Sequence, residues 1–234
     1  MFKTYKVTLN FTSWFAAGIP KNPDLLETYL QVKGHGPESA DPLDAGELAE
    51  EIAEPSTDKW SVGFKGDKDG IYYEGRCVKA HLKDCANVLQ KTLEIKALKS
   101  KLADRVTVQP ERIRLLRNGA TIEKADGNYQ LPITVMTRQG PRTSIKQVDY
   151  VDSPEMRFTL VVLADKVITE DTLRAIFEYG GTIKGMGQDR GLSMGRFHLV
   201  ELKEIRSREL FWSGVKPRRG LESHVVKPRN AVQG

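Results

Sequence analysis

The chain opens on a strict alternation. Tyr5, Val7, Leu9 and Phe11 are separated by Lys6, Thr8 and Asn10, the period-two pattern of a strand with one buried face. Gly18-Ile19-Pro20 ends that run. Asn22-Pro23-Asp24 then opens a short helix, with Asn22 as N-cap and Leu25, Leu26, Tyr29 and Leu30 along one side. Gly70-Ile71-Tyr72-Tyr73-Glu74-Gly75 reads as a further strand. From 77 to 102 the residues Val78, Leu82, Cys85, Ala86, Leu89 and Leu93 recur at spacings of three and four, which predicts one long helix with a single buried stripe. Strands are expected over 105–108, 112–116 and 131–136, with turns at Asn118-Gly119 and Asp126-Gly127, and 143–150 reads as a strand or an arm.

The last third has the sharpest punctuation. A β-rich run over 157–163 precedes Thr169, which caps a helix carrying Glu170 and Asp171 in its first turn, where their charge suits the macrodipole. Ile168 and Leu173 stand at staple positions, Leu173, Ile176 and Phe177 face inward, and Gly180-Gly181 ends the helix. A glycine-rich loop over 185–195 leads to a strand over 196–202. Strand, helix, loop, strand is half of a βαββαβ unit, so the expected class is α+β, a ferredoxin/RRM-like sandwich. Gly34, Gly36, Pro37, Pro42, Gly46 and Pro55 punctuate 33–70, which also holds an acidic stretch at 47–54 and is read as an inserted lobe. An arm is expected at 137–153. The RRM-like domain is expected to span 1–204.

With 234 residues, 39% of them hydrophobic, the chain suffices for a sizeable core and is neither collagen-like nor wholly disordered. The longest apolar run, 160–164, is strand-sized, and Lys3 and Lys6 interrupt any signal-like block, so a cytoplasmic protein is expected. The net charge of +5 is uneven. The tail over 205–234 holds seven cations against Glu209 and Glu222, while the rest balances. Such a tail either contacts phosphates or an acidic partner, or is a solvated extension. Phe211-Trp212 within it suits docking on a partner or a nucleic acid. Cys77 and Cys85 read as reduced residues of a packed helix, and no metal-ligand spacing or cofactor motif emerges.

Four glycines occupy the eleven residues from Gly185 to Gly195, flanked by Lys184, Arg190 and Arg196. Glycine permits close approach, so such a loop either holds a helix tightly against a sheet or lies against a sugar-phosphate chain. It is neither a P-loop nor a dinucleotide fingerprint, because a strand rather than a helix follows. The run Gly185-Met186-Gly187, then Arg190, then Ser193-Met194-Gly195-Arg196-Phe197 resembles the C-terminal glycine-rich motif of the RAMP superfamily of CRISPR-associated proteins. There a helix leads to the loop and a closing strand follows. A second stretch, Gly75-Arg76-Cys77-Val78-Lys79-Ala80-His81-Leu82-Lys83, resembles the start of the long helix in that family's backbone subunits, with Arg76 in place of serine, Ala80 of glycine and Lys83 of arginine.

The resemblance implies an RNA-binding backbone subunit of a CRISPR-type ribonucleoprotein, stacked with copies of itself along guide RNA beside other effector subunits. The RNA-binding residues it implies are Arg76, Lys79, Lys83, Lys184, Gly185, Gly187, Arg190, Gly195 and Arg196, with Arg138 and Arg142 on the basic arm. Backbone contacts suit that role, since base pairing supplies specificity. Two alternatives stand beside it. One is a metal-independent, guide-processing endoribonuclease using His35 as general base, since relatives cut RNA with a histidine near the first helix. The other is a structural or interaction protein of viral or mobile-element origin with the same fold. His81 and His198 fall in a helix and a strand and read as packed or surface residues; Trp14 and Phe15 read as anchors or as base-stacking aromatics.

Overall fold

The alternation of Phe2–Phe11 becomes strand β1, with Tyr5, Val7, Leu9 and Phe11 all buried. The structure is a computed structural model that describes residues 2–23, 25–26, 60–137 and 140–205. Short strands follow β1: β2 (Phe15–Ala16), β3 (Ile19–Pro20), β4 (Ser61–Gly63), β5 (Lys65–Asp67) and β6 (Gly70–Glu74). Helices α1 (Gly75–Leu89) and α2 (Leu98–Arg105) lead to β7 (Val106–Gln109), β8 (Arg112–Arg117) and β9 (Ala120–Thr121). A long hairpin, β10 (Gly127–Thr137) and β11 (Gly140–Val151), precedes β12 (Glu155–Leu163), α3 (Glu170–Tyr179) and β13 (Phe197–Ile205).

β1 lies between β13 and β12, antiparallel to both, and β12 pairs with β7 along its C-terminal half. The spatial order β13, β1, β12, β7, with helices after β1 and after β12, is that of a ferredoxin-like α+β fold. The sheet extends from the N-terminal end of β12 through β8 and β6 to β5. A second sheet is built on the β10–β11 hairpin, against which β2 and β4 pair, with β3 on β4. Thus the described part of the segment read as an inserted lobe, residues 60–70, joins both sheets; residues 27–59 lie outside the described residues, as does the tail from 206. Asn22 caps as expected, its Oδ1 accepting from the Leu25 amide at 3.3 Å. Asn118-Gly119 forms the turn between β8 and β9, both residues left-handed.

The long helix expected over 77–102 is two helices. α1 stops at Leu89, and the chain turns through Glu94 (φ 55°) and Ala97 (φ 58°), both left-handed, before α2 begins. Phase explains the break. At about 100° per residue, a continuous helix would carry Leu98 and Leu102 to the side opposite Leu82. The turn instead brings both to 0% exposure. Burying two leucines contributes roughly 3–6 kcal/mol, against about 1–2 kcal/mol for each left-handed residue. Packing therefore outweighs helix continuity.

α3 forms as the sequence indicates. The Thr169 hydroxyl accepts from the Thr172 amide at 3.2 Å, and Ile168 and Leu173 are both buried. Leu173, Ile176 and Phe177 join Val78, Leu82 and Cys85 of α1 and Leu9 and Leu160 of the sheet in one core. The helix does not end in a left-handed glycine, however. Gly180 is right-handed (φ −59°) and begins a wide turn, Gly180–Lys184, closed by the Gly185 amide donating to the Gly180 carbonyl at 2.7 Å.

Candidate nucleic-acid interface

Glycines in the α3–β13 connection serve close backbone packing. A Cβ on Gly181 would stand 2.0 Å from the Phe197 carbonyl oxygen, and one on Gly195 (φ 68°) 1.7 Å from that of Met186. The loop's amides are largely used internally. Met186 donates to Gly195 O at 2.8 Å, Gly195 to Trp14 O at 2.8 Å, and Gln188 to Ala16 O at 3.1 Å. The Gly187 amide donates to the Tyr73 hydroxyl. Gly185, Gly187 and Gly195 are therefore architectural: they seat the loop on the β1–β2 connection, and their amides are not an open phosphate cradle. What the loop presents outward is the turn Arg190–Leu192 with Ser193, all exposed, and nothing lies within 4 Å of a Cβ placed on Gly191.

Asp189 locks this turn to the hairpin. Its carboxylate accepts from the Tyr129 hydroxyl at 2.7 Å and pairs with Lys146 at 3.5 Å, the two charged side chains being only 17% and 15% exposed. Burial, the hydrogen bond to Asp189 and the Asp189 charge all push the Tyr129 hydroxyl above its ordinary range, so it stays a proton donor. Beside it, Trp14 stacks on Tyr150 with ring centroids 4.0 Å apart and planes 14° from parallel, yet remains 40% exposed. The hairpin thus holds both the exposed turn, through Asp189, and the exposed Trp14, through Tyr150, while the Arg190 charge bears on Tyr73 and His81. Neither Tyr129 nor Tyr150 is marked by its local sequence, since each contact joins residues far apart in the chain.

The start of α1 borders the same loop but carries its own anion. Glu74 stands at the N-cap position, paired with Lys65 at 3.2 Å and Arg76 at 2.9 Å. Burial works to raise the Glu74 pKa, but the two cations outweigh it and hold the carboxyl below its ordinary range. A phosphate at this helix end would meet a carboxylate. Lys79 and Lys83 lie elsewhere. Each is two residues from His81, hence about 160° around the helix from it, and His81 packs against Gly180 and Phe197 on the loop side. Lys184 pairs with Asp84 of α1 at 3.3 Å. Arg196 fixes the loop end, its amide donating to Ser13 Oγ at 2.9 Å, and its Nη1 is buried with no hydrogen-bond partner among the described residues. Arg142 is exposed on β11, four residues and about 13 Å outward from Lys146. Arg138 and His35 lie outside the described residues. Lys184 and Arg190 both bear on His81, Arg142 lies further out along β11 than Lys146, and helical phase puts Lys79 and Lys83 on the side of α1 away from His81.

His81 is buried, and burial, followed by the Arg190 and Lys184 charges, lowers its pKa to about 4. Its Nε2 lies 3.6 Å from Cys85 Sγ, a thiol that burial pushes up to about 12. Both are packing groups at neutral pH. Cys77 and Cys85 are free thiols, and no described helix is long and apolar enough to cross a membrane.

No family model matches the chain, and no curated protein matches it. A chain in a cryo-EM structure of the type III-B Cmr-beta bound to cognate target RNA is similar, with 12% identity and a TM-score of 0.44. The match covers 88% of this chain and 61% of the solved one, so this chain spans less than two thirds of that chain's length.

Proposed function

We propose that the protein binds single-stranded RNA across the junction of the glycine loop and the β10–β11 hairpin, as a non-catalytic backbone subunit of a CRISPR-type ribonucleoprotein. The observation that carries this reading is that one hairpin holds both the turn bearing the exposed Arg190, through Tyr129 and Lys146 to Asp189, and the exposed Trp14, through Tyr150. A guanidinium beside an open backbone turn suits a phosphate, and an exposed aromatic suits an unstacked base. Contacts of that kind are independent of sequence, as a guide-holding protein requires. The resemblance of 185–197 to the RAMP motif agrees with the loop's position between helix α3 and closing strand β13. Guide RNA, copies of the same chain along it and other effector subunits are the partners this reading assigns.

Fluorescence anisotropy with a labelled single strand of RNA tests it. Binding is expected to weaken as salt rises, and Arg190→Glu to reduce affinity about tenfold and the salt slope by about 1. Wild-type protein that binds no RNA, or an Arg190→Glu protein that binds as well as wild type, contradicts the reading.

A further inference from the structure

The exposed turn of the glycine loop runs between two backbone anchors, the Gln188 amide on Ala16 O at 3.1 Å and the Gly195 amide on Trp14 O at 2.8 Å. Within it the Leu192 amide donates to the Asp189 carbonyl at 2.9 Å, and the Ser193 amide to that of Arg190 at 3.1 Å. Asp189 (φ 51°) and Ser193 (φ 62°) close its two ends, both left-handed, a conformation uncommon outside glycine. Among the described residues, no side chain from Arg190 to Met194 forms a hydrogen bond or ion pair. The side chain that ties the turn to the rest of the protein is therefore that of Asp189. Its two donors, the Tyr129 hydroxyl at 2.7 Å and the Lys146 ammonium at 3.5 Å, come from the two strands of the hairpin. Tyr129 stands opposite Val148, Lys146 opposite Leu131, and Tyr150 opposite Gly127, so all three side chains share one face. Tyr129 also reaches the aromatic side of that face, its ring centroid 5.9 Å from Trp14 and 6.2 Å from Tyr150. One phenol thus meets Asp189 with its hydroxyl and Trp14 with its ring. A carboxylate next to a phosphate-binding arginine disfavours the phosphate, so its presence there calls for another use.

We infer that Asp189 is a positioning residue: tied to the hairpin by Tyr129 and Lys146, it fixes the Arg190 turn relative to Trp14, so that the phosphate and base contacts meet one RNA strand at a set spacing. The inference rests on the RNA-binding reading above and adds to it the group that sets the geometry. Asp189 acts through its neighbours and touches no RNA itself.

Asp189→Gly removes the carboxylate and keeps the left-handed backbone free of steric cost. Anisotropy with a labelled single strand of RNA reads the effect. By charge alone, taking an anion from beside Arg190 would tighten binding. Positioning predicts the reverse, an affinity about tenfold lower, and it predicts that Arg190→Glu costs less in the Asp189→Gly protein than in wild type. Unchanged or tighter binding by Asp189→Gly, or an equal cost of Arg190→Glu in both backgrounds, overturns the inference while leaving the RNA-binding reading intact. Wild-type protein that binds no RNA removes both. Tyr129→Phe is the second variant, since it keeps the ring against Trp14 and takes away only the hydroxyl. Limited trypsin digestion, with cuts located by mass spectrometry, then reads the turn without any RNA. The bond after Arg190 lies in the exposed turn, and this variant leaves the sequence around it intact. Cleavage there should quicken about tenfold, as expected when one hydrogen bond to a charged group is lost. An unchanged rate overturns the inference whether or not RNA binds.

Discussion

Gly195→Ala perturbs the loop where its backbone is closest to itself. Gly195 has φ 68°, and a Cβ would lie 1.7 Å from the Met186 carbonyl oxygen and 2.8 Å from the Met186 amide nitrogen. Holding alanine in a left-handed conformation costs about 1–2 kcal/mol. Relieving the overlap requires the Met186 peptide to move, although its amide is bonded to Gly195 O at 2.8 Å. That overpacking adds about 1–3 kcal/mol. The expected loss is therefore about 2–5 kcal/mol, a large share of the stability of a typical domain. Gly191→Ala is the control, since nothing lies within 4 Å of its Cβ; it should change stability by no more than about 0.5 kcal/mol. Urea unfolding followed by circular dichroism measures both. If Gly195→Ala unfolds no earlier than Gly191→Ala, the glycines are not there for close packing and the reasoning fails.

Two further outcomes follow from the same physics. Because His81 is held near 4 in the folded protein against an ordinary 6.5, the unfolded chain binds the extra proton between those values. Its contribution is fully present above about 6.5 and is lost as pH falls toward 4, by up to about 3 kcal/mol. Urea midpoints measured from pH 7 to pH 5 should fall less steeply in His81→Leu, and an identical slope contradicts the assignment. Ala97→Gly should stabilise by up to about 1 kcal/mol, because the left-handed turn before α2 then costs nothing sterically; a lower melting temperature contradicts this account of the helix break.

Elements with local signals were legible in the sequence: the alternation of β1, the Asn118-Gly119 turn, and the Thr169 cap with its Ile168–Leu173 staple. The α1–α2 break was hidden because Leu93 keeps the stripe in phase past the end of α1. Only the opposite phase of Leu98 and Leu102 signals it. The glycine loop was visible as a motif, and close packing was one of its two expected uses, but the atoms that enforce it were not visible. Gly195 is fixed by Met186 and Gly181 by Phe197, contacts that need the folded turn. Lys79 and Lys83 enter the expected RNA-binding set through the resemblance of the stretch from Gly75 to Lys83 alone. Helical periodicity puts both on the side of α1 away from His81. The stack of Trp14 on Tyr150 joins the β1–β2 connection to a distant hairpin, so no local pattern announces it.

Ultraviolet cross-linking of bound single-stranded RNA, with adducts located by peptide mass spectrometry, tests the central assignment most directly. Adducts at Trp14, Tyr129 or Tyr150 and in the peptide containing Arg190 are the predicted result. Adducts confined to the segment from Arg76 to Lys83, with none at that junction, would contradict it.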